Sequence, residues 1–200
     1  METKKARTPV ARQPRTKADE PRATRLDPRS STPDPVIILG VDPGLRVTGW
    51  GIVGVQDAAL FSPAWGAIAT NAKDPVEQRL HQIYQELCDV IARWRPAVVA
   101  VEDPFVGENV RSAFAVGEAR AIALLAAAQA GLAANGYAPA AVKLAVTGYG
   151  RSDKAQVQEM VRLQLGMVEP PEPEDASDAL AVALCHHMKT LEAARLERAL

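Results

Sequence analysis

The stretch Val36-Ile37-Ile38-Leu39-Gly40-Val41-Asp42-Pro43-Gly44 constrains the fold more than any other part of this chain. An unbroken aliphatic run closed by Pro-Gly predicts a strand buried on both faces. Asp42 stands where that strand leaves the core. A carboxylate at the edge of a dry, rigid element is costly unless a metal, an arginine or backbone N–H groups meet it. Ala97-Val98-Val99-Ala100-Val101-Glu102 repeats the device: a second apolar strand that ends in an acid.

Two hundred residues are enough for one ordinary domain with a proper core. Cys88 and Cys185 lie far apart without paired spacing, which argues for a reducing cytoplasm and against a disulfide framework. No apolar run approaches the roughly 20 residues of a membrane helix, and the charged, Pro-rich start lacks a secretory apolar core. The expectation is a cytoplasmic protein with no membrane partner. The net charge of −1 conceals an uneven distribution, since nine of the 23 Lys/Arg but five of the 24 Asp/Glu fall in residues 1–35. Any nucleic-acid surface is therefore a local patch. Residues 1–35 hold too little apolar surface to offset ordering entropy and are expected to be a disordered, basic, Pro-rich extension. Such a segment is either functionless or a basic arm that adds phosphate affinity. The folded domain is expected over residues 36–200.

After the first strand, Thr48–Val55 and Ala67–Thr70 read as two more strands in an antiparallel meander. Asp74-Pro75-Val76-Glu77 predicts a helix start with Asp74 as N-cap and Glu77 as its capping-box partner. Val76, Leu80, Ile83, Leu87, Val90, Ile91 and Trp94 continue a one-faced helix that ends before Pro96. Residues 112–135 predict an Ala-rich helix closed by Gly136, with Gly117, Ala121 and Ala128 on a face of small residues. Lys143–Thr147 reads as a short strand, Ser152 or Asp153 as the cap of a helix running to about Leu165, with Gln156 three residues after Asp153, and Asp175 as the start of a last helix of about 25 residues. The order β-β-β-α-β-α-β-α-α predicts an α/β domain around a mixed five-stranded sheet flanked by helices.

If the strands ending in Asp42 and Glu102 are parallel neighbours, both acids emerge at one sheet edge. Asp175 and Asp178, three apart at a helix start, share a face whose N-terminal dipole tolerates anions. Taken singly, Asp42 is a turn former and Asp175 or Asp178 an N-cap; Glu102 has little local reason to end so apolar a strand. Taken together, converging carboxylates repel one another unless cations sit between them. Hard oxygen ligands suit Mg²⁺ or Mn²⁺, and paired ions about 4 Å apart suit phosphodiester hydrolysis. Cys185-His186-His187 is not expected to bind metal, because consecutive helical residues point apart.

These residues resemble the RuvC family of bacterial Holliday-junction resolvases. The resemblance lies in Val41-Asp42-Pro43-Gly44-Leu45-Arg46-Val47-Thr48-Gly49-Trp50-Gly51, Val101-Glu102 with Phe105 beyond, Gly117-Glu118-Ala119-Arg120, Lys154-Ala155-Gln156-Val157 and Asp175-Ala176-Ser177-Asp178-Ala179-Leu180-Ala181. It spans roughly residues 36–188. It implies an RNase H-like fold, a homodimer, Mg²⁺-dependent paired nicking of four-way DNA junctions with two ions per site (Mn²⁺ able to substitute), and the RuvA and RuvB branch-migration proteins as partners. By the same resemblance Asp42, Glu102, Asp175 and Asp178 are the catalytic, metal-binding acids. Phe105 is either a loop-closing core residue or a ring that stacks on an unpaired base. Lys143 and Lys154 match phosphate-holding lysines, and Lys154 opposes its own helix dipole unless an anion lies near. Arg46 either contacts DNA or balances nearby acids, and Arg111, Arg120 and Arg151 are candidates to extend the patch. Glu108 stands where the family often carries a base, and Glu169, Glu172 and Glu174 crowd the approach to Asp175. The rival readings are an RNase H-like nuclease for RNA or RNA–DNA hybrids, an actin-like phosphotransferase, and a catalytically silent junction-binding protein.

Overall fold

The computed structural model describes residues 34–104 and 110–199, without the side chains of Val110 and Arg111. Five strands form one sheet: β1 (Val36–Asp42), β2 (Val47–Gln56), β3 (Ala59–Ala69), β4 (Val98–Glu102) and β5 (Ala133–Tyr137). Their order is β3-β2-β1-β4-β5, antiparallel through the β1–β2–β3 meander and parallel from β1 through β4 to β5. Five helices lie among the described residues: α1 (Val76–Trp94), α2 (Val110–Gln129), α3 (Pro139–Thr147), α4 (Lys154–Gln164) and α5 (Glu174–Glu197).

The apolar run of β1 is buried on both sides, as its composition requires. Ile38 joins Val53, Ala100 and the buried residues of α3, α4 and α5 in one core layer. Leu39 and Val41 join Ile52, Val99, Val101 and the buried residues of α1 and α2 in the other. Even-numbered β1 residues thus face α5, and Asp42 belongs to that set. No helix among the described residues is long and apolar enough to cross a membrane.

Several elements differ from the sequence expectation. The Ala-rich helix ends at Gln129 rather than near Asn135, because Gly131 takes a left-handed φ of 71° and Leu132 N–H closes onto Ala127 O at 2.9 Å. The chain then enters β5, which pairs in parallel with β4 despite its Ala-Ala-Asn-Gly composition. Lys143–Thr147 is not a strand but the end of α3, opened by Pro139 and closed by Gly148 at φ 77°. The third strand is longer than Ala67–Thr70. It begins after a two-residue turn in which Asp57 and Ala58 have φ of 49° and 65°, and it carries Pro63 at a bulge opposite Val53. Helix α1 starts at Val76 without a side-chain cap; Asp74 instead accepts a 3.3 Å hydrogen bond from Asn71 Nδ2. The Asp153–Gln156 capping box forms in both directions, at 2.8 and 3.1 Å.

Candidate active site

Val41 and Val101 are registered partners in the parallel β1–β4 pair, so the next residues, Asp42 and Glu102, leave the sheet side by side. Helix α5 lies over this edge and brings Asp175 and Asp178 down from above in its first two turns. The acids come from three chain segments and act on one another. Burial, then Asp178 and Asp175, push the half-buried Asp42 carboxyl up to about 7, against the opposing pull of Lys154. Burial, then Asp42 and Asp178, push Glu102 up to about 8, against Lys154 and Lys143. Asp178 is also raised, chiefly by burial, although Lys154 pulls it back.

A cavity of about 100 Å³ opens beside this group, lined by Glu102 and Asp178 together with Pro139, Lys143, Val157 and Lys154. Lys154 Nζ lies 3.3 Å from Asp178 Oδ2 and also pairs with Glu174, and the hydrogen bond to Glu174 leads the causes that raise its pKa. This cation at the first turn of α4 therefore has anions in front of it, which resolves the dipole conflict seen in the sequence. Lys143 reaches the same cavity from α3, a helix rather than the expected strand.

Arg46 is exposed in the turn after Asp42. Arg120 pairs with Asp103 at 2.6 Å, next to Gly136 of β5. Arg151 is exposed in the α3–α4 turn. Phe105 and Glu108 lie outside the described residues, as does the Arg111 side chain. Glu174 is tied to Lys154, and the carbonyl of Glu172 accepts a 3.1 Å bond from Trp65 Nε1, which anchors the Pro/Glu loop to β3. His186 Nδ1 lies 2.7 Å from Tyr137 Oη, with the two rings edge to face.

Two supports escaped the sequence reading. Buried Thr48 donates from Oγ1 to Gly44 O at 2.8 Å and accepts from Gly44 N at 3.3 Å, fixing the turn behind Asp42. Arg79 of α1 donates to Thr70 Oγ1 at 2.9 Å and to Leu45 O at 3.0 Å, bolting that turn to the helix layer. The Thr in Gly-x-x-x-Thr was a visible signal for the first; Arg79 offered none, because its partners are distant in sequence.

The donor set is all oxygen, and the negative charge around Asp42 exceeds what Lys154 and Lys143 supply. These residues fit a hard divalent cation. Among the described residues, no three His, Cys, Asp or Glu side chains already close on one metal-sized point.

A model of the family described as "Crossover junction endodeoxyribonuclease RuvC" matches residues 38–186. The Crossover junction endodeoxyribonuclease RuvC of Chloroflexus aurantiacus is 52% identical over 148 residues, which is 74% of this chain and 90% of that protein. Among solved structures, Thermus thermophilus RuvC superposes with a TM-score of 0.73 at 34% identity, covering 79% of this chain and 97% of that one. Thermus thermophilus RuvC in complex with Holliday junction substrate gives 0.74 at 35% identity, over 78% of this chain and 94% of that chain. These likenesses, with the mixed five-stranded sheet and its flanking helices, make the fold RNase H-like. The chain belongs to the RuvC family of crossover junction endodeoxyribonucleases.

Proposed function

We propose that this protein is a Holliday-junction resolvase, a structure-selective endonuclease that makes paired, symmetric nicks in four-way DNA junctions during recombination and repair. The observation that carries this reading is the emergence of Asp42 and Glu102 from adjacent parallel strands beneath Asp175 and Asp178 of α5, in a chain of this family. These four acids are the ligands for two Mg²⁺ ions, with Mn²⁺ able to substitute. The bound ions supply an activated water and positive charge at the leaving 3′ oxygen. The chain's own part is positional. Strand ends set in a close-packed core hold Asp42 and Glu102 with little freedom, so their oxygens stay aimed at one point as charge develops. Lys143 and Lys154 present positive charge to a phosphate from the wall shared with Glu102 and Asp178. Arg46, in the turn that follows Asp42, and Phe105 contact the DNA. The products carry 5′-phosphate and 3′-hydroxyl ends, which a ligase can seal.

The nuclease domain is residues 36–200, with residues 1–35 a basic extension to it, and the working location is the cytoplasm. A homodimer suits a substrate of two-fold symmetry. The exposed face of α2 supports that assembly: Phe114 and Leu125 point outward, and a β-carbon on Gly117 would meet nothing. The RuvA and RuvB proteins are the branch-migration partners.

The test is a labelled immobile four-way junction incubated with the protein, with and without Mg²⁺, beside Asp42→Asn and an RNA–DNA hybrid control. Symmetric nicks near the crossover that need metal, vanish in the variant while binding persists, and spare the hybrid are the expected result. Hybrid cleavage without junction cleavage, or junction binding without cutting under any divalent metal, defeats the proposal.

A further inference from the structure

The four acids are divided between the sheet and a helix laid over it, so the depth at which α5 sits fixes their spacing. In the β1–β2 pair, Asp42 is in register with Gly49, and Gly40 with Gly51. Registered partners point to the same face of an antiparallel pair, here the face that α5 covers. A β-carbon on Gly49 would run into the carbonyl oxygen of Asp175, and would lie 2.5 Å from its carbonyl carbon and 3.2 Å from Ala176 N. These are helix backbone atoms, which cannot swing aside as a side-chain tip can. A β-carbon on Gly51 would meet a softer obstacle, the Leu180 side chain at 2.6 Å and Leu180 N at 3.1 Å. Further along the strands, the same face carries Ile38 and Val53 as full side chains. Gly49 has no left-handed φ to account for it, so the requirement is steric.

We propose that Gly49 is a positioning residue for the metal site. Lacking a side chain, it lets the first turn of α5 settle onto β2 directly across from Asp42, and this close approach sets the distance between Asp42 and the Asp175–Asp178 turn. The inference rests on the reading of these acids as metal ligands. A methyl group at position 49 lifts the helix start away from the sheet, as overpacking of a filled space does, and widens the gap the ions must bridge.

Manganese alone is the probe, titrated against the full chain at constant temperature and followed by the loss of the free ion's electron paramagnetic resonance signal. The variants are Gly49→Ala, Gly51→Ala and, as control, Gly54→Ala, whose β-carbon would have atoms of the Phe61 ring as its nearest neighbours. The midpoint of the titration, unlike the unfolding temperature itself, is not moved by a general loss of stability. Supporting-residue changes typically weaken metal sites by about tenfold or more, the rise in midpoint expected for Gly49→Ala, with about two- to threefold for Gly51→Ala and no change for Gly54→Ala. Junction binding in EDTA is expected to match the wild type in all three. A folded Gly49→Ala with the wild-type midpoint overturns the proposal. Should Gly49→Ala give no cooperative transition, Gly51→Ala decides: a raised midpoint supports the proposal and an unchanged one overturns it. A wild type that shows no manganese response overturns both this inference and the ligand reading beneath it. A wild type that responds to manganese but cuts no junction defeats only the substrate assignment, and the order of the three midpoints still decides the role of Gly49.

Discussion

Near neutral pH, the carboxyls of Asp42, at about 7, and Glu102, at about 8, stand between protonated and ionised, because burial and neighbouring acids oppose their charge. Both values lie above those of the same groups in an unfolded chain, about 4. The metal-free folded state therefore binds protons more tightly than the unfolded state, and stability is fully retained below pH 4 as far as these two groups are concerned. It drains away as pH rises toward 7 and 8, where the unfolded chain is ionised and the folded one resists. Melts in EDTA across pH 5 to 8 are expected to show a falling unfolding temperature for the wild type. Asp42→Asn is expected to flatten that slope and to exceed the wild type at pH 8, while losing the recovery that Mn²⁺ gives the wild type. A stability that rises with pH over this interval, as ion-paired carboxylates produce, would contradict the account. Two of the acids proposed to hold the ions thus weaken the empty protein, a common trade between function and stability.

At the scale of elements, α3 shows which signals outrank which. Lys143-Leu144-Ala145-Val146-Thr147 has strand-like composition, yet Pro139 and Gly148 bracket a nine-residue helix whose Val142 and Val146 are buried one turn apart. Terminal signals and four-residue spacing won over β-propensity, which mostly reports packing context. A β-carbon at Gly148 would meet nothing within 4 Å, so replacing it tests the left-handed cap alone. Gly148→Ala is expected to cost about 1 kcal/mol in urea unfolding with the metal titration unchanged. A neutral result would mean that the cap relaxes without penalty. Elsewhere the sequence was legible where local chemistry dictates the outcome. The strand ends at Asp42 and Glu102, the Asp153–Gln156 box and the α5 acids needed only neighbouring residues to be seen. What escaped depends on residues remote in the chain. Strand β5 exists because β4 offers a parallel edge to Ala133–Tyr137, and Arg120 pairs with Asp103, which no spacing rule predicts.

For the whole molecule, α2 sorts its side chains into two faces with opposite fates. Ala119, Ala123, Ala126 and Ala127 are buried against the sheet layer, whereas Phe114 is 71% and Leu125 48% exposed, with Ala121 and Ala128 exposed between and beyond them. Phe114, Gly117, Ala121, Leu125 and Ala128 follow three- and four-residue steps, so they form one outward, apolar, largely small-residue row. A second copy related by a two-fold axis would cover this row with the same row, and the small residues would let the helices approach closely. Two sites fixed in that relation can cut opposed strands of a junction in one encounter. Ala121→Glu with Leu125→Glu places like charges at the centre of that contact without touching the buried face. The double variant is expected to sediment as a monomer at concentrations where the wild type is expected to sediment as a dimer, and to keep its metal titration. On a supercoiled plasmid that extrudes a cruciform, it is expected to give nicked circles where the wild type gives linear product, since one site acts per encounter. A variant that remains dimeric and linearises the plasmid would move the interface to another surface.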